Sequence, residues 1–215
     1  EKNKSEFKWN RPEAKFLIHI FGRSHFLSSR LIRNPEIANK LINSPYLFKK
    51  KSVQKMESEL DKRIETLNNF SKNEFKNILR RYKYEEYLRI TIRDLAKLCP
   101  FNETFEELSN IAICCLRVSL RHITKNELYI KKYFNNKFDS KSQKKFSVDK
   151  KNKIKSLQKF SPFTIIAMGK LGGNELNYSS DVDLIFIHDN EKITGDKEQD
   201  YKIRIKTARK LIEIM

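Results

Sequence analysis

No stretch of the 215-residue sequence approaches ~18 consecutive apolar residues, and no charged segment followed by an apolar one opens it. The chain therefore reads as neither membrane-spanning nor secreted. Cysteine is scarce: Cys99, Cys114 and Cys115 are odd in number and show no C-x-x-C spacing, which argues against a disulfide framework or a zinc site. Two of them are adjacent in an apolar helical stretch and read as buried free thiols of a reducing, cytoplasmic compartment. The four histidines are scattered and form no H-E-x-x-H. Neither G-x-x-x-x-G-K-[ST] nor G-x-G-x-x-G occurs, so the two common glycine-rich phosphate loops are absent.

Positive charge is abundant, with a formal net charge of +18. Such a balance suggests nucleic acid at first sight. The excess is mostly Lys, spread through a chain rich in Asn, Ile and Phe with only six Ala, a profile that fits the codon bias of an AT-rich genome. No RNP-like aromatic strand, zinc knuckle or GXXG clamp accompanies it, so no nucleic-acid partner is expected. The length suits one domain or two small ones. No methionine opens the sequence and it stops in a helix-like run, KTARKLIEIM, so it reads as a fragment.

Helical spacing dominates the first two-thirds. Phe16, Leu17 and Ile20 form one apolar patch and Phe26, Leu27, Leu31 and Ile32 the next, with Ser24 as a cap and breaks at Asn34-Pro35 and Ser44-Pro45. Val53, Met56, Leu60, Ile64 and Leu67 make one stripe of an amphipathic helix. Ser71-x-x-Glu74 is a capping box for the helix after it, and Thr104-x-x-Glu107 reads as a second one. The helix beyond Pro100, with Phe105, Leu108, Ile111, Ala112 and Cys115 on one stripe, should be the spine of the helical part. Arg80, Arg81, Arg89 and Arg93 read as a solvated basic face; the alternative sends Arg89 or Arg93 toward a phosphate site, with Asp94 able to hold either. Residues 139–159 carry eight lysines against two aspartates and offer little to bury, as an exposed connection would. The last helix should bury Ile205, Ala208, Leu211, Ile212 and Met215.

Chemistry concentrates between Phe163 and Asp189, FTIIAMGKLGGNELNYSSDVDLIFIHD. FTIIAM reads as a strand, Gly172 and Gly173 as a turn that lets backbone approach a ligand, NELNYSS as a turn or two of helix, and VDLIFIH as a second strand. The two strands should pair. Period two puts Asp181, Asp183, Ile185 and Ile187 on one face and Val182, Leu184, Phe186 and His188 on the other. Two carboxylates so close repel, and hard oxygen ligands of this kind suit Mg²⁺ shared with substrate phosphates. The N–H groups of the helix expected after the glycines would supply the anion site. The bland alternative is a pair of solvated aspartates at a strand end.

Taken in order, strand, Gly-Gly, seven residues and Asp-x-Asp resemble the signature of nucleotidyltransferases related to DNA polymerase β. More narrowly, GKLGGNELNYSSDVDLIF resembles the motif of the glutamine-synthetase adenylyltransferase/adenylyl-removing enzymes. The likeness extends outside the motif: Phe21, Gly22, Ser24, Phe26, Leu27, Leu31, Arg33, Pro35 and Glu36 fit a leading FGxSxFLxxxLxRxPE pattern. LRRYKYEEYLRITIRDLAKL and ETFEELSNIAICCL likewise resemble family segments.

The resemblance implies an α+β chain: a helical region over 1–135, a basic connection over 136–160, and over 161–215 an incomplete polymerase-β-like core with a small mixed sheet. It implies that Asp181 and Asp183 are catalytic and hold Mg²⁺, with Gly172, Gly173, Lys170 and Ser180 at the nucleotide. The ELN-x-SSD-x-DLIF form and the leading region fit the half of these bifunctional enzymes that removes AMP from a glutamine-synthetase tyrosine, consuming orthophosphate and releasing ADP. The other half attaches AMP from ATP. Glutamine synthetase and a PII-type nitrogen-signalling protein are the implied partners. The family draws a third carboxylate from a later V-D-x-R-L-R-P segment, which does not occur here. The rival readings are the adenylylating half, another nucleotidyltransferase of the same superfamily acting on a small molecule or RNA, and a non-catalytic helical module with an incomplete site.

Overall fold

The computed structural model describes residues 18, 21–67, 71–126, 163–188 and 196–215. The apolar patch of Phe16, Leu17 and Ile20, the connection over 136–160 and residues 189–195 lie outside the described residues. The described chain is α+β, mostly helical with a two-stranded antiparallel sheet.

After helical residues at 18 and 21–23 come two short helices. Ser24 accepts from the Leu27 N–H at the start of α1 (His25–Arg33), and Pro35 occupies the first turn of α2 (Pro35–Ile42), where its missing N–H costs nothing. Leu27, Leu31, Ile37, Ala38 and Leu41 gather with Leu47, Leu88 and Ile92 into a small satellite core. Helix α3 (Val53–Glu65) is capped by Ser52 and buries Met56, Leu60 and Ile64, the stripe its spacing foretells. Ser71 accepts from the Glu74 N–H to open α4 (Lys72–Leu95).

Helix α5 (Phe101–Asn126) packs against α3, α4 and the last helix, α7 (Lys197–Ile214), and is the spine of the main core. It starts at Phe101, so Thr104 lies inside it and the expected capping box at Thr104 and Glu107 does not form; both side chains are buried. In α7 the buried positions are Asp200, Arg204, Thr207, Leu211 and Ile214, while Ile212 and Met215 face solvent. The helix docks with a mixed polar stripe, which a search for apolar residues alone misses.

Arg89 and Arg93 correct the expectation of a solvated face. They are 1 % and 2 % exposed, whereas Arg80 and Arg81 do face solvent. Arg89 donates to Glu86 Oε2 at 2.9 Å and to Glu107 Oε1 at 2.6 Å; Arg93 pairs with the other Glu107 oxygen and with Glu103. The Lys51 N–H reaches Glu107 Oε1 at 2.9 Å, and its ammonium bridges Glu86 and Glu59. This alternation of signs holds together α3, α4, α5 and the connection before α3. Burial disfavours the Arg89 charge, but Glu86 and Glu107 outweigh it and raise the guanidinium above its ordinary value.

Candidate active site

Strands β1 (Thr164–Ala167) and β2 (Leu184–Ile187) pair antiparallel, with Ile166 opposite Ile185 and Thr164 opposite Ile187. Ile165, Ala167, Leu184 and Phe186 turn inward onto the main core, where Phe163 meets Phe186 edge-on at 5.0 Å. Ile166, Ile185 and Ile187 stay 40–48 % exposed on the outer face. Asp183 belongs to that outer face by parity, as the alternation foretells. Asp181, Val182 and Asp183 all precede β2 and are exposed.

Between the strands the chain departs from expectation. The helix does not follow the glycines; it is a single turn, α6 (Gly169–Gly172), that precedes and includes the first of them. Asn174 adopts φ 59°, the Glu175 N–H donates to Lys170 O at 2.7 Å and the Asn174 N–H to Leu171 O at 3.1 Å. These two bonds around a left-handed residue are a Schellman closure, so the helix stops there and NELNYSS continues without helix. Instead, Asn177 and Ser180 tie a compact turn: Ser180 Oγ accepts from the Asn177 N–H at 3.0 Å and donates to Asn177 Oδ1 at 2.8 Å. Ser180 caps this turn immediately before Asp181.

The glycines act by room. The Gly172 and Gly173 N–H groups donate to Met168 O and Gly169 O, both at 3.0 Å, so they are spent within the turn. A Cβ on Gly172 would sit 2.6 Å from Ala167 O, which lets α6 lie directly on β1. Gly169, which the sequence marks only as the stop of the first strand, has φ +53°, and a Cβ there would come 3.1 Å from Asp183 Oδ2. The Met168 N–H also donates to Asp183 O at 2.9 Å. Backbone and side chain of Asp183 are thus both seated against the start of α6. Lys170 is exposed on that same turn.

Among the described residues no group of three or more His, Cys, Asp or Glu gathers to hold a metal. Two exposed carboxylates are the donor set on offer. That set fits Mg²⁺ in its usual manner, one or two carboxylates with substrate phosphates and water completing the shell. Arg89 and Arg93 do not contribute, being committed to Glu86, Glu103 and Glu107. Asp94 holds neither of them; its Oδ2 accepts from the Tyr178 hydroxyl at 3.3 Å. Burial raises the Tyr178 hydroxyl above its ordinary value, and the Asp94 charge adds to this against a hydrogen bond with Thr91.

The family model described as glutamate-ammonia ligase adenylyltransferase matches residues 14–215. Among curated relatives, the bifunctional glutamine synthetase adenylyltransferase/adenylyl-removing enzyme of Nitrosococcus oceani is 29 % identical over 206 residues, 94 % of this chain and 19 % of its own length. The protein of the same name from Brucella suis is 26 % identical over 209 residues, 95 % of this chain and 19 % of its own. That from Bartonella quintana is 28 % identical over 218 residues, covering 98 % and 20 %. The chain spans about a fifth of the length of these relatives.

Proposed function

The chain belongs to the glutamate-ammonia ligase adenylyltransferase family, and from that membership we propose that it carries part of a Mg²⁺-dependent nucleotidyl-transfer site acting on glutamine synthetase. The half we assign is the one that removes AMP from the adenylylated tyrosine. One observation supports the reading most: the exposed Asp183 is seated against the glycine turn, two residues after the exposed Asp181. Curated relatives named for both adenylyl transfer and adenylyl removal add to it. The ELN-x-SSD-x-DLIF form of the motif favours the removing half.

In this reading Asp181 and Asp183 supply the oxygen ligands, and Ser180 fixes the turn that presents them. Gly173 is exposed with only the Glu175 side chain nearby, 3.6 Å from where a Cβ would sit, and in this reading it leaves room for a nucleotide phosphate to which Lys170 adds a positive point charge. Bound Mg²⁺ would neutralise phosphate oxygens and stabilise the charge that develops in an in-line displacement. An orthophosphate oxygen attacks the phosphorus of the AMP–tyrosine ester; the tyrosine oxygen leaves and takes a proton, and ADP is the other product. A cytoplasmic setting and a PII-type regulator go with the same proposal. Among the described residues no helix is long and apolar enough to cross a membrane.

The test is phosphorolysis of adenylylated glutamine synthetase by the chain continued through a third carboxylate, with and without Asp181→Asn and Asp183→Asn. Orthophosphate-dependent ADP release that both substitutions abolish supports the assignment. Turnover surviving in the double variant ends it. ATP-driven labelling of unmodified glutamine synthetase without ADP release from the adenylylated form moves the chain to the other half.

A further inference from the structure

We propose that the helical region sets the position of the aspartate pair through a two-point latch on the 174–180 loop, with Ser109 and Asp94 as positioning residues. The inference rests on reading Asp181 and Asp183 as metal ligands. The first point is Leu176, which is buried in the main core, its N–H donating to Ser109 Oγ at 3.1 Å. Ser109 is fully buried on α5, and its own O–H donates to Phe105 O at 2.9 Å. The hydroxyl thus donates to Phe105 O and accepts from the loop, so both of its roles are engaged at a buried position.

The second point is Tyr178. Its hydroxyl donates to Asp94 Oδ2 near the end of α4, and its ring lies edge-on to Tyr87 at 6.3 Å. Between the two points Asn177 Oδ1 accepts from the Ser179 N–H at 3.0 Å and from Ser180 Oγ at 2.8 Å. The backbone is therefore fixed from Leu176 to Ser180, and Asp181 follows at once. Two like charges on an exposed segment would splay apart if that segment were free. Holding the segment from two separate helices keeps the carboxylates near one another before any cation arrives, which is the role outer-shell partners play at metal centres.

The test uses Ser109→Ala and Tyr178→Phe, which each remove one point, and Asp94→Asn, which keeps an acceptor oxygen for Tyr178. Amide hydrogen exchange over 174–183 is followed without metal, and Mn²⁺ binding is titrated by electron paramagnetic resonance. Asp181→Asn/Asp183→Asn provides the baseline. Both latch-breaking variants should speed loop exchange and weaken Mn²⁺ binding by ~10-fold or more, with Asp94→Asn close to the parent. Faster exchange with unchanged Mn²⁺ affinity makes the contacts mere packing and overturns the proposal, as does no change in either. Mn²⁺ binding in the parent that ignores the double Asn change overturns instead the ligand reading on which the latch depends.

Discussion

Replacing Gly172 by Ala tests the claim that this glycine exists for close approach of α6 to β1. The added Cβ would lie 2.6 Å from Ala167 O and 3.2 Å from Ala167 C, both backbone atoms, so no side chain can swing aside. Relief requires the helical turn or the strand to shift. Forced overpacking of this kind costs ~1–3 kcal/mol, partly offset by the ~0.4–1 kcal/mol gained from a stiffer unfolded chain. A net loss of roughly 1–1.5 kcal/mol corresponds to a fall in melting temperature of ~2–6 °C for a chain of this size. Gly173→Ala is the control, because its Cβ would meet nothing closer than Glu175 at 3.6 Å and its φ is −79°. That variant should melt at or slightly above the parent. Thermal unfolding by circular dichroism, with amide exchange at Thr164–Ala167 for the local response, reads both. A Gly172→Ala chain as stable as the Gly173→Ala chain would refute the reasoning.

Glu107→Ala should cost ~3–5 kcal/mol in urea unfolding, because it leaves the guanidiniums of Arg89 and Arg93 buried with too few partners. Thiol titration of the native chain should label Cys99 first and leave Cys114 and Cys115 unreactive at neutral pH, since burial raises both and pushes Cys115 up to about 11. For Glu85, burial raises the carboxyl, but hydrogen bonds from Arg63 and Lys40 outweigh it and hold it below the ordinary value. Its folded-state pKa being depressed, the stability it contributes is full above the ordinary glutamate value of ~4.3 and is lost as pH falls through the lowered one. Acid titrations of the parent and of Glu85→Gln should therefore diverge above that window and converge below it.

Where the sequence was legible, the signal was local. Met56, Leu60 and Ile64 announce α3 because a helix repeats its face within a few residues, and Ser71 announces the start of α4 because its bond is to Glu74. The pairing of β1 with β2 and the outer placement of Asp183 follow from period two in two apolar runs that neighbour each other in sequence. Arg89 and Arg93 were misread because the carboxylate that buries them, Glu107, arrives from the next helix, and a pattern within α4 cannot show it. Thr104 and Glu107 mimic a capping box by spacing alone. The helix expected over NELNYSS fails at Asn174, whose left-handed backbone closes α6; Asn is the residue besides Gly that tolerates this, so the sign was present but ambiguous. Ser180 was legible as the cap of the turn before Asp181, which it closes with Asn177, whereas Ser109 carried no such sign.

The outer face of the β1–β2 ribbon has a colloidal consequence. Ile166, Ile185 and Ile187 form a flat apolar strip on a protein whose formal charge is +18. At low ionic strength that charge keeps molecules apart whatever the strip would gain by meeting another. Added salt shortens the reach of the repulsion to ~8 Å near physiological strength while leaving apolar attraction intact. Unlike a protein that salt dissolves by screening attractive charges, this chain should self-associate as salt rises.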